Sequence, residues 1–164
     1  MRSRPPNPVE FGYKAQVIDI DDGIVLDYGV RAGNPPDAPQ LAPAISRIAR
    51  RGGRTPRSVT ADRGYGEPAT ERDLQALAVC TVAIPRRARP SAARHAVEHA
   101  RGFRALVKWR TGCEGRISVL KRRHGLNRCR YRGDAGMKRW VGLGVIADNL
   151  INIGRILALQ AAEV

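Results

Sequence analysis

Short apolar runs rich in β-branched residues alternate along the chain with segments whose apolar residues recur at helical spacing. FGYKAQVIDI and GIVLDYGVRAG, rich in Val, Ile and Tyr and joined at DDG, predict two strands of a hairpin. The first eight residues, with three prolines, read as a flexible lead. NPPDAPQ breaks the pattern, and Asp37 is placed to cap a helix carrying Leu41, Ile45 and Ile48, which RGGRTP ends. RSVTAD predicts a short strand that opens through ADRGYGEPAT into a helix over ERDLQALAV. CTVAIP predicts another strand, stopped by Pro85, and RRARPSAARHAVEHAR reads as a basic linker or weakly helical arm. A long amphipathic helix follows over FRALVKWRTGCEGRISVLKRR, with Gly112 and Gly115 as its weak points. Its core stripe is expected at Leu106, Trp109, Cys113, Ile117 and Leu120. GMKRWVGLGVIADNLINIGRILALQAA predicts a last helix with a broad apolar face. This order is a mixed α/β layout without internal repeats.

Charge changes the picture more than composition does. At 164 residues the chain is about one domain, but its 29 Lys and Arg against 15 Asp and Glu give a net +14. Residues 1–50 are neutral, with six basic and six acidic side chains, and residues 101–140 hold 13 basic against two acidic. One strongly basic part points to a polyanion, most simply nucleic acid, without separating an enzyme from a binding protein. Cys80, Cys113 and Cys129 are scattered and no signal peptide precedes them, so a reducing, cytoplasmic setting is expected. Asp148, Asn149, Asn152 and Arg155 interrupt the last apolar segment, so no membrane span is expected.

Two acids stand out as candidate chemistry. Asp62 lies where a strand meets a glycine-containing loop, a place that holds the backbone while leaving the side chain reachable. A turn-forming Asp is the plainer alternative. Glu114 sits in the most basic segment, four residues after Arg110 and seven before Lys121, so the three share one helix face. An ion-pair ladder explains the spacing too, at a few tenths of a kcal/mol per pair. A carboxylate among cations also suits phosphodiester chemistry, in which hard divalent ions are held by carboxylates while basic groups hold phosphates. Two such ions normally need a further acid.

VTADRGY, CTVAIPRR and KWRTGCEGRISVLKRRHGLNRCRYRG together resemble the DDE transposases of the IS4/IS5 type, found in bacterial insertion sequences. EFGYKAQ, GNPPD and WVGLGVIADNLINI extend the resemblance over about residues 8 to 157. Asp62 matches the family's second acid. Arg110, Glu114 and Lys121 match its helix signature of Tyr, Arg, Glu and Lys, with Glu114 as the third acid and Val107 in place of the Tyr. The resemblance implies an RNase H-like α/β fold, a mixed sheet with flanking helices. It also implies metal-dependent DNA cleavage and strand transfer with two Mg²⁺ or Mn²⁺ ions, acting on transposon ends. Residues 1–8 would be the lead and residues 9–160 a partial catalytic domain. The family's first Asp precedes the FGYKAQ strand, so the expectation is a truncated copy lacking its first strand and first acid, with impaired activity. Homodimerisation or complementation by an N-terminal fragment would then be relevant. Asp19, Asp21, Asp22 and Asp27 are the nearby acids; Asp21 and Asp22 fall in the presumed turn, and Asp27, on a strand, is a candidate surrogate.

Arg63, Arg86 and Arg87 are expected near phosphates, and Arg116, Arg122, Arg123, Arg128, Arg130 and Arg132 in contact with the DNA backbone. Trp109 and Trp140 fit core faces better than base stacking. His95 and His99 have the spacing of a zinc pair but lack a preceding Cys pair. Cys80 is expected to be buried. The rival function is a basic nucleic-acid-binding protein without catalysis.

Overall fold

The computed structural model describes residues 12–111 and 113–163, apart from the side chains of residues 113–116. The expected flexible lead therefore lies outside the described residues. The predicted hairpin forms from β1 (Tyr13–Asp19) and β2 (Val25–Ala32), paired antiparallel. Ile18 faces Asp27 and Asp19 faces Val25, so Leu26 is an extra residue that forms a bulge. The bulge reverses the two-residue alternation, and Val25 joins Val30 against the last helix.

The helix α1 (Ala38–Gly52) buries Leu41, Ile45 and Ile48 as the spacing predicts. Asp37 occupies its cap position but makes no side-chain cap bond; its carboxylate pairs with Lys14 at 2.7 Å instead. Gly53 ends the helix in the left-handed region, at φ 68°. The strands β3 (Ser58–Thr60) and β4 (Thr81–Ala83) pair in parallel, joined by α2 (Pro68–Ala76), which starts earlier than predicted because Pro68 suits a first helical turn. Val59, Leu74, Val82 and Ile84 pack beneath α1 in the main core.

The basic arm is a defined helix, α3 (Ala92–His99), capped by Ser91. The predicted long helix is α4 (Arg101–Thr111) and α5 (Cys113–Arg123), on either side of Gly112. Its expected core stripe is corrected in part: Phe103 and Leu120 are buried, whereas Ile117 is 46% exposed. The helix α6 (Gly133–Ala162) packs Val141 and Val145 on Val25 and Val30, and Gly142 admits the Tyr28 hydroxyl, which a Cβ there would meet at 2.4 Å. By length and composition α6 is apolar enough to cross a membrane, a test that core helices also pass.

The architecture is a mixed α/β fold, with two separate two-stranded sheets among the described residues and helices around them. The helix α1 touches β2, α2 and the turn after β3, and so joins the two sheets.

Candidate functional site

Asp62 follows β3 directly and caps a single 3₁₀ turn, Arg63–Tyr65. Its backbone is extended, and its Oδ1 accepts the Gly64 N–H at 2.7 Å. The carboxylate turns the chain, as the plainer sequence reading has it, and is exposed.

The loop after β4 buttresses this turn. Arg63 Nε donates to the Arg86 carbonyl at 2.7 Å, and Arg87 N–H donates to the Gly66 carbonyl at 3.0 Å. A Cβ on Gly66 would lie 1.9 Å from the Pro85 carbonyl oxygen, so only glycine lets the two loops cross this closely. Behind them, the Tyr65 hydroxyl accepts from Gln16 Nε2 at 3.1 Å, tying the turn to β1. Burial pushes the Tyr65 phenol up to about 12, so it remains protonated at neutral pH.

A partly buried ion network holds the β4 loop in turn. Glu71 of α2 pairs with Arg86 and, at 2.9 Å, with Arg94 of α3. Arg94 also reaches Glu98 at 2.9 Å and the Ile84 carbonyl at 2.9 Å, and lies 5.4 Å from the Phe103 ring centroid. Glu98 accepts the Arg86 N–H at 2.9 Å. Burial raises the Glu98 carboxyl, but that N–H and the Arg94 and Arg86 charges outweigh it and hold the group below its ordinary range. The sequence reading passed over Glu71, Arg94 and Glu98; the Arg94–Glu98 spacing of four was the one legible signal.

Of the helix signature, Arg110 lies on α4, and Glu114 and Lys121 lie on α5. The side chains of Glu114 and Arg116 fall outside the described residues. Arg110 is half-buried and Lys121 exposed. Ile117, three positions beyond Glu114, and Leu120 line a small pocket with Asp19, Val17 and Asp148, so this part of α5 lies against the hairpin.

The expected phosphate contacts differ in what already holds them. Arg86 has Glu71 as an internal partner, and Arg87 is exposed with Glu67 at 3.6 Å. Arg122, Arg123, Arg128, Arg130 and Arg132 are all exposed at the end of α5 and in the connection to α6. Trp140 anchors that connection: Nε1 donates to the Gly125 carbonyl at 3.3 Å, and its ring lies 5.7 Å from that of Tyr131. Trp109 is half-buried, Cys80 is exposed rather than buried, and His95 and His99 stack on each other at 3.9 Å. Cys80 precedes β4, outside the strand that was expected to cover it.

Other acids are committed elsewhere. Asp27, a candidate surrogate, is 5% exposed and held by Arg47, at 2.6 Å, and Arg51 of α1. Asp148 binds His124 at 3.1 Å and lines a cleft of about 270 Å³ with Asp21, Asp22 and Arg123. Among the described residues no three His, Cys, Asp or Glu side chains gather in a group that could hold a metal ion. The Asp62 carboxylate by itself suits a hard cation: an exposed oxygen donor, oriented by a backbone N–H at a rigid strand end.

A family model described as a transposase DDE domain matches residues 7–150. No curated protein and no solved structure matches the chain.

Proposed function

The chain belongs to the transposase DDE domain family, and from that premise we propose that it binds DNA and supplies Asp62 and Glu114 as two carboxylates of a metal-dependent cleavage site. We assign it to the IS4/IS5 type on the Arg110, Glu114 and Lys121 spacing, with transposon ends as substrate. The fold is read as RNase H-like. The antiparallel hairpin, the parallel strand pair and the flanking helices are consistent with that reading.

The observation that carries this reading is the setting of Asp62. A carboxylate at the end of a parallel strand is exposed, pre-oriented by Gly64 and braced by two crossed loops. Mg²⁺ or Mn²⁺, two ions in a complete site, supplies activation of water or a 3′-hydroxyl and stabilises the leaving oxygen. Asp62 offers a fixed oxygen ligand from the sheet and Glu114 one from α5. Arg110 and Lys121 flank Glu114 in sequence and supply positive charge for phosphate oxygens. Arg63, next to Asp62 in the chain, and Arg87, on the loop that crosses the Asp62 turn, would orient the scissile strand. Arg122, Arg123, Arg128, Arg130 and Arg132, with Arg116, hold the flanking backbone without reading sequence.

In the family pattern a further Asp precedes β1, and residues 1–10 hold Glu10 as their sole acid. A segment bearing such an Asp, supplied in trans, is expected to raise Asp62-dependent nicking. The test is nicking of supercoiled DNA in Mn²⁺, with and without such a segment. Nicking that needs Asp62 and rises on complementation supports the reading. Equal nicking by wild type and Asp62→Asn overturns it.

A second reading, DNA binding without catalysis, is favoured by one observation: Asp27, Glu71, Glu98 and Asp148 are all engaged by Arg or His side chains. It predicts salt-sensitive binding and no Asp62-dependent nicking under any complementation.

A further inference from the structure

Asp148 is a buried carboxylate that the proposed site does not use, and it lies on α6 between two partners. His124 Nε2 donates to its Oδ1 at 3.1 Å, and Asn152 Nδ2 donates to its Oδ2 at 3.2 Å. The His124 and Asp148 side chains are 10% and 8% exposed. Asn152 Nδ2 also donates to the Gly23 carbonyl at 3.0 Å. Asn149 acts as a strand partner would: its Oδ1 accepts the Val25 N–H at 2.8 Å, and its Nδ2 donates to the Val25 carbonyl at 2.9 Å. The helix α6 therefore holds the hairpin by two amides and the end of α5 by one carboxylate. His124 directly follows α5, and its N–H still donates to the Leu120 carbonyl at 3.1 Å. A Cβ on Gly144 would lie 2.9 Å from Leu126 and 3.4 Å from the His124 Cβ, so glycine there lets this stretch lie directly on α6. Polar groups this deeply buried are costly without partners, so each member of the network fixes its neighbours.

The face of α5 held in this way is the one that matters to the proposed site. Ile117 and Leu120 line a small pocket with Val17 and Asp19 of β1 and with Asp148. At about 100° per residue, positions 114, 117, 120 and 124 fall within an arc of about 120°. The hairpin is also the reference for the other acid, because Gln16 of β1 holds Tyr65 of the Asp62 turn at 3.1 Å. Resting on the assignment of Asp62 and Glu114 as metal ligands, we propose that His124 and Asp148 are positioning residues for Glu114. They act through α5, setting its place against the hairpin to which the Asp62 turn is tied. Two carboxylates from separate elements share an ion only when both backbones are held to within about 0.5 Å of the working geometry.

The test compares His124→Ala, which removes the donor, with His124→Gln, whose amide nitrogen can stand where Nε2 stood. In His124→Ala, amide hydrogen exchange over residues 117–123 should quicken by about tenfold. Mn²⁺ binding to the full chain on duplex DNA, read by electron paramagnetic resonance, should weaken by about tenfold. His124→Gln should restore both towards wild type. Should His124→Ala fail to fold, His124→Asn, whose shorter amide falls short of Asp148, is expected to show the same contrast with His124→Gln. Unchanged exchange in α5 overturns the proposal. So does a loosened α5 with wild-type Mn²⁺ affinity where Glu114→Gln weakens that affinity: the pair is then structural only, and the metal ligands stand. Mn²⁺ affinity indifferent to Glu114→Gln overturns the metal-ligand reading and this proposal with it.

Discussion

At Asp62 one carboxylate holds the turn after β3 and faces solvent, and substitutions separate the two duties. Asp62→Ala removes the acceptor for Gly64 N–H and should cost about 0.5–2 kcal/mol, as removal of a helix cap does. Asp62→Asn keeps an oxygen for that N–H, so its denaturant midpoint should stay near wild type while metal binding weakens. Gly66 supports the same turn from the other side. Gly66→Ala forces a methyl group onto the Pro85 carbonyl and should destabilise by about 1–3 kcal/mol or more, read from urea denaturation. Asp62 was legible because a strand ran into a glycine loop. Gly66 was not, because its importance comes from a loop twenty residues away that the sequence does not place beside it.

Among the elements, α3 shows how an arm that looks weak in sequence becomes ordered. RRARPSAARHAVEHAR has no buried residue in its helix, so apolar periodicity could not reveal it. Its place is set by Arg94 and Glu98 gripping Glu71 and the β4 loop. Arg94 joins Glu71, Glu98 and the Ile84 carbonyl in this partly buried network, so Arg94→Ala should cost about 1–3 kcal/mol in thermal or urea unfolding. The Glu98 carboxyl is held below its ordinary range in the fold. Its contribution is therefore complete above the unfolded glutamate range and is lost as pH falls through the lowered value. Hydrogen exchange of α3 should quicken on acidification in that window, and Glu98→Gln should flatten the response. The hairpin and α1 were readable from β-branched runs and helical spacing. RSVTAD was read as a short strand, yet β3 and β4 each keep only three residues of the runs that predicted them. In α5, Ile117 was misjudged because periodicity shows a stripe without showing what covers it.

For the whole molecule, the neutral first third holds much of the two cores, and the exposed guanidinium groups gather in the C-terminal half. Replacing Arg128, Arg130 and Arg132 by Gln should weaken DNA binding evenly across sequences. The log–log salt slope should fall by about 0.9 for each phosphate that is no longer neutralised. An unchanged slope would remove this connection from the DNA surface. The central claim, that Asp62 and Glu114 together hold a divalent ion on DNA, is tested most directly by Mn²⁺ binding. Electron paramagnetic resonance of the chain–DNA complex reads it without requiring cleavage. The account predicts bound Mn²⁺ in the wild type and at least about tenfold weaker binding in Asp62→Asn and in Glu114→Gln. Equal Mn²⁺ affinity in all three, with DNA binding intact, would contradict it.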